Sequence, residues 1–139
     1  SQSVFRAREP IQIRLRAEAV VYLGIFAWGA DNRIVRLYPN PERPVLTVAP
    51  GQPLILPDPA EGQLMSLPLP LPGNFEDHEA IIVIAATRDL PFEELANQAG
   101  QTLDATQAAA RPASRFFNAL ARFDLSRMSV QVLPYQVTR

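Results

Sequence analysis

Fourteen of the 139 residues are proline, about twice the usual share of ~5%, and they are spread through the chain between apolar runs. Proline has no N–H to give to a β-ladder and its ring fixes φ, so it cannot sit in the middle of a central strand. Here it punctuates a series of strands. Residues 11–16 alternate Ile11, Ile13 and Leu15 with Gln12, Arg14 and Arg16, the period of a half-buried strand. Residues 19–28 are almost wholly apolar and predict a central strand covered on both faces. The turn residues 29–32 and a return over residues 33–38 complete a hairpin.

Short strands are expected at 45–48 and 54–56, and an edge strand or extended loop at 64–71. A second strongly apolar strand is expected over 80–87, which holds Ile81, Ile82, Val83 and Ile84. Two short helices follow. Asp89, Pro91, Glu93 and Glu94 suit the start of the first. Ser114 is placed as the cap of the second, where Phe116, Leu120 and Phe123 recur at i, i+4, i+7. Between them residues 99–111 read as a mobile loop, and residues 128–137 alternate again as a closing strand.

Strands, then helices, then one strand do not fit the alternating units of a parallel α/β fold. The expected fold is mainly β: an antiparallel β-sandwich or barrel-like sheet with two short helices inserted before the last strand. Residues 1–10 read as an N-terminal linker and 11–139 as a single β-rich domain, a length that suits one core.

Composition removes several classes of function. All thirteen basic residues are arginine, which excludes the lysine of a phosphate-binding loop of the Walker type, a Schiff-base enzyme or a kinase-like site. Coding bias explains the all-arginine usage better than function does. There is no cysteine, so disulfides, thiolate metal sites and cysteine nucleophiles are excluded. A net charge of −1 predicts no nucleic-acid partner. No apolar run reaches the ~18 residues of a transmembrane segment, and no signal peptide is visible.

The run Tyr22-Leu23, Phe26, a turn with Asp31, and then Leu37-Tyr38-Pro39-Asn40 resembles domain-of-unknown-function family 4384 (DUF4384). The likeness continues through Val48-Ala49-Pro50-Gly51, Leu56-Pro57, Glu79 with residues 81–85, and Pro134-Tyr135-Gln136-Val137. One departure is Asn32 where the family's turn has glycine, and asparagine tolerates positive φ. Members of that family occur as modules beside other domains, in secreted lipoproteins and next to caspase-like peptidases and kinases. The resemblance implies an accessory role and no reaction.

Asp77-His78-Glu79 is the one cluster with catalytic residue types, and His78 is the sole histidine. Neighbours along an extended chain point in alternate directions, so the three are read as a solvated loop entering a strand, with no catalytic residue assigned. Ser3, Ser66, Ser114, Ser126 and Ser129 lie in no nucleophile elbow. The carboxylates show no metal-binding spacing, so neither a metal nor a cofactor is expected. Arg14, Arg16, Arg33 and Arg36 are read as a solvated basic face rather than an anion site, and Phe116, Phe117 and Phe123 as core. Tyr38, Pro39 and Asn40 form a structural motif in which proline ends the strand and asparagine holds the turn. Tyr38 and Asn40 are also the candidate ligand- or partner-binding residues.

The expected function is a non-catalytic accessory or interaction module of a larger bacterial protein, binding a protein or cell-envelope partner. A periplasmic or secreted location is favoured over a cytoplasmic one on the family likeness. The alternatives are a small-molecule or glycan sensor domain regulating a neighbouring catalytic domain, and a hydrolase using His78. A deep apolar pocket with convergent polar groups would favour the sensor. Sequence assigns no oligomeric state.

Overall fold

The computed structural model describes residues 3–58, 65–66, 70–92, 95 and 111–139. In chain order its strands are β1 (Ser3–Arg6), β2 (Pro10–Ile11), β3 (Ile13–Leu15), β4 (Val21–Trp28), β5 (Arg33–Tyr38), β6 (Thr47–Val48), β7 (Leu54–Leu56), β8 (Met65–Ser66), β9 (Glu76–Ala86), β10 (Arg111–Pro112) and β11 (Met128–Thr138). The helix α1 (Ala113–Leu120) and a 3₁₀ turn at Leu125–Arg127 precede β11.

The main sheet runs β1-β11-β9-β4-β5-β10, with β6 also paired to β4. Its centre is β9, held antiparallel to β4 on one side and to β11 on the other. Two small ladders, β2 with β8 and β3 with β7, stand apart from it. The chain is thus mainly β, but the sheet stays open, so the expected barrel-like closure is corrected. The outer pair β1–β11 is parallel, the exception to an otherwise antiparallel sheet.

The period-two alternation of β4 and β9 sorts the core into two faces. Leu23, Ile25, Ala27, Ile81 and Val83 point to one, where Ile13 and Leu56 of the β3–β7 ladder pack with Tyr135 and Val137. Phe26, Ile82, Ile84 and Ala86 point to the other, which α1 covers with Ala113, Phe116 and Leu120. Phe26 and Phe116 meet edge-on with centroids 4.9 Å apart. Gly24 lies on this second face because Phe92 leans over it. A Cβ there would stand 2.6 Å from Phe92 Cδ1. The two strongly apolar runs of the sequence are therefore neighbours at the centre of the sheet, buried on both faces as such runs require.

Several expectations change. Ser3–Arg6, expected to be irregular, form the edge strand β1, because Ser3 to Arg6 pair in register with Tyr135 to Thr138 more than 130 residues away. The alternating run 11–16 is split between two small ladders. Among the described residues there is one α-helix rather than two. Asp89 to Pro91 are not helical, and the rest of the expected first helix, like most of the expected mobile loop 99–111, lies outside the described residues. Ser114 sits inside α1, whose N-cap is Pro112 with no side-chain cap. Eight residues without a cap are too few to be helical on propensity alone. Packing of the Phe116–Leu120 stripe holds α1, together with a bond from Ala113 N–H to the Asn32 carbonyl at 3.0 Å.

Candidate functional site

The Asp77-His78-Glu79 run is not a loop but lies within β9. Its alternation puts Asp77 and Glu79 inward and leaves His78 exposed on the opposite face, so the histidine joins neither carboxylate. Glu79 is 9% exposed and sits across the ladder from Tyr135. The Tyr135 hydroxyl donates to Glu79 Oε1 at 3.1 Å, and the Phe5 ring of β1 meets the Tyr135 ring edge-on at 5.9 Å. Burial pushes the Glu79 carboxyl up to about 7. The bond from Tyr135 pulls it down in part, and the charges of Asp77 and Asp31 push it up further. Burial and the adjoining carboxylate raise the Tyr135 phenol as well, so it stays protonated and remains the donor.

Asp77 performs a different task. Its Oδ2 accepts the Leu71 N–H at 2.7 Å and its Oδ1 accepts Asn74 Nδ2 at 2.6 Å. From the other side the Arg139 guanidinium donates to the carbonyls of Pro70, Leu71 and Asn74 at 3.0–3.2 Å. The Arg139 N–H adds a bond to the Phe75 carbonyl, and the turn closes through Asn74 N–H to the Leu71 carbonyl. Gly73 supplies the positive φ of 87° that the turn needs. The segment from Pro70 to Phe75 is thus tied at both ends, yet it presents Phe75 to solvent with 75% of its surface exposed and Leu71 beside it. Phe75 carries no motif and was not singled out from the sequence. The one available signal was a phenylalanine in a proline- and glycine-rich connection.

Tyr38, Pro39 and Asn40 are positioned by a bulge. Ile25 opposes Tyr38 while Phe26 opposes Arg36, so Leu37 is the extra residue. As a result Leu37 and Tyr38 both enter the first core, and Tyr38 is only 6% exposed. The Tyr38–Pro39 peptide is cis. Asn40 Nδ2 donates to the Leu37 carbonyl at 3.0 Å, and its Oδ1 accepts from the N–H groups of Glu42 and Arg43 at 3.1 and 2.8 Å. Its amide is committed to its own turn. Pro39 borders an open depression of about 380 Å³ shared with Pro44, Asp89, Leu90 and Pro91.

The four arginines do not make one face. Arg14 and Arg16 are exposed on and just after β3, which pairs with β7 rather than β5, and Arg36 on β5 is buried. Asn32 has a φ of 62° and accepts the Trp28 indole N–H at 3.0 Å, so asparagine serves the turn in place of glycine. Among the described residues no three histidine, cysteine or carboxylate groups cluster as a metal site, and no helix is long and apolar enough to cross a membrane.

A family model described as "Domain of unknown function (DUF4384)" matches residues 4–89, from β1 through β9, and stops short of α1 and β11. No curated protein matches the chain, and no solved structure does.

Proposed function

Because this chain belongs to the DUF4384 family of domains of unknown function, we propose that it is a non-catalytic interaction module of a larger bacterial protein, docking a protein partner at the cell envelope through the loop that carries Phe75. The observation behind this reading is the contrast within that loop. Buried Asp77 and the Arg139 guanidinium fix its backbone, while its largest apolar side chain stands in water. A rigid aromatic anchor loses little conformational freedom on binding, which is the property of an interface hot spot. His78, separated from both neighbouring carboxylates by the pleat, supports the non-catalytic part. The envelope location rests on the modular company that such domains keep.

A photo-cross-linkable phenylalanine analogue in place of Phe75, in the parent protein and the cells that make it, tests the docking loop. One discrete adduct at position 75, missing when the same probe replaces exposed Val20, is the expected result. Equal labelling at both positions, or none at either, overturns the assignment. Turnover of an ester, peptide or phosphate substrate that His78→Ala abolishes would overturn the non-catalytic role.

A further inference from the structure

Asp77 and Glu79 flank exposed His78 on β9, so their two carboxyl groups lie on the same buried face of the sheet. Residues two apart on a strand are separated by roughly 7 Å. Both Asp77 oxygens are used by the Phe75 loop, one accepting the Leu71 N–H and the other the Asn74 amide. These are acceptor contacts, which a carboxylate makes without a proton. Glu79 is different. Its partner is the Tyr135 hydroxyl of β11.

The surroundings of Glu79 offer a second negative charge little to meet. The side chains that β1, β3 and β7 pack on this face include Phe5, Ile13 and Leu56, which carry no charge. The alternation of β5 sets Arg33 on this face with Val35. The charges that act on Glu79 are nevertheless those of Asp77 and of Asp31 in the β4–β5 turn. Burial is the main reason that Glu79 keeps its proton up to about 7. The Tyr135 bond opposes this in part, and Asp77 and Asp31 add to it.

Ionising Glu79 therefore sets two buried negative charges side by side. What yields depends on how each is held. Glu79 belongs to a strand that is paired to β4 on one side and along the whole of β11 on the other. The Phe75 loop is held by Asp77, by its own turn and by the Arg139 guanidinium on its carbonyls. Asp77 relieves the repulsion by turning towards water and releasing Leu71 and Asn74, a local opening that leaves the sheet intact.

We propose that the proton on Glu79 controls the Phe75 loop: with Glu79 neutral the loop is clamped on Asp77 and presents its ring rigidly, and with Glu79 ionised the clamp loosens and docking weakens. This rests on the reading of Phe75 as the docking residue and gives that site a regulator. The proton is bound more tightly in the folded chain, so the clamp holds at mildly acidic pH and is lost as pH rises through about 7. The coupling is reciprocal, so a partner that holds the loop clamped also tightens the hold of Glu79 on its proton.

Hydrogen exchange at the Leu71 amide tests the clamp, read as protection relative to an unstructured chain at the same pH so that base catalysis cancels. From about pH 6 to 8 this protection should fall about threefold or more relative to amides at the centre of β9. Glu79→Gln stays neutral and should keep it level. Tyr135→Phe removes the bond that opposes proton uptake and should move the loosening to higher pH, an independent measure if the glutamine variant fails to fold. Cross-linking at position 75 in the parent protein should weaken over the same range in the wild type and stay level in Glu79→Gln. Level Leu71 protection in the wild type, or an equal fall in Glu79→Gln, overturns control by Glu79 whatever the cross-linking shows. Cross-linking that stays level while Leu71 loosens overturns the regulatory step. Loosening that follows Glu79 while position 75 captures nothing at any pH supports the clamp and overturns the docking role instead.

Discussion

The hydroxyl of Tyr135 on β11 donates to the carboxyl of Glu79 on β9, 56 residues earlier in the chain, inside the face of the sheet that packs on the β3–β7 ladder. The bond gives a buried carboxyl a side-chain partner in a place that also feels Asp77 and Asp31, and burial dominates, so Glu79 takes up its proton near pH 7 rather than 4.5.

Stability should therefore fall as pH rises. Below about 4.5 the carboxyl is protonated in both folded and unfolded chains. Between there and about 7 the unfolded chain has released a proton that the folded chain keeps, so each step up in pH favours unfolding until the folded group ionises too. Allowing for residual solvent screening, the loss over that window is roughly 1–3 kcal/mol. Thermal melts of the wild type between pH 5 and 8 should show the midpoint falling by several degrees. In Glu79→Gln, which cannot ionise, the fall should be much shallower. Parallel curves for the two proteins would mean that another group carries the effect.

The contrast between what the sequence displays and what it hides follows from distance along the chain. The runs that became β4 and β9 are legible because burial on both faces leaves a continuous apolar stretch, and α1 because Phe116 and Leu120 fall on one helical face. The turn at Asn32 is legible from residue type alone. The strand character of Ser3–Arg6 is not, since those four residues are short, mixed and stabilised by Tyr135 to Thr138 at the other end of the chain. Glu79 with Tyr135, and Asp77 with Arg139 around the Phe75 loop, are hidden for the same reason: each arises from register between β9 and β11. The alternation that parts His78 from its neighbours is legible in any extended chain, while the burial of Asp77 and Glu79 on the inner face appears only once the strand is known to begin at Glu76.

Gly24→Ala should destabilise the fold. The added Cβ would lie 2.6 and 2.9 Å from two carbons of the Phe92 ring, which is itself buried and cannot swing into solvent. Overpacking of this kind costs about 1–3 kcal/mol, against a smaller gain from replacing glycine within a strand. Chemical denaturation should show a lowered midpoint, and Phe92→Leu in the same chain should recover part of it by clearing the space. An alanine variant as stable as the wild type would mean that Phe92 repacks freely.

Asn40→Ala should lower the melting temperature whether or not a partner is present. The substitution leaves the Leu37 carbonyl and the N–H groups of Glu42 and Arg43 without the amide that joins them. The cost should be about 1–3 kcal/mol where those groups are shielded from water. Unchanged melting together with lost partner binding would instead make Asn40 a ligand residue, with Pro39 and the depression beside it as the place to look.

The Phe75 loop predicts opposite behaviour for its anchor and its tip. Phe75 is mostly in water, so Phe75→Ser removes little buried surface and should change stability by less than about 0.5 kcal/mol. Asp77 is buried and is the acceptor for both the Leu71 N–H and the Asn74 amide. Asp77→Ala strands both donors and should cost about 1–3 kcal/mol. Hydrogen exchange separates a local from a global effect. Without Asp77 the Leu71 amide should exchange at least tenfold faster under conditions where amides in the centre of β9 remain protected, because the turn opens while the sheet persists. If the loop is held rigid in order to present the ring, partner cross-linking at position 75 should weaken in Asp77→Ala even at temperatures where the domain is fully folded. An Asp77→Ala protein with a mobile loop and undiminished cross-linking would separate the rigidity of the segment from its use, leaving Asp77 a purely structural residue.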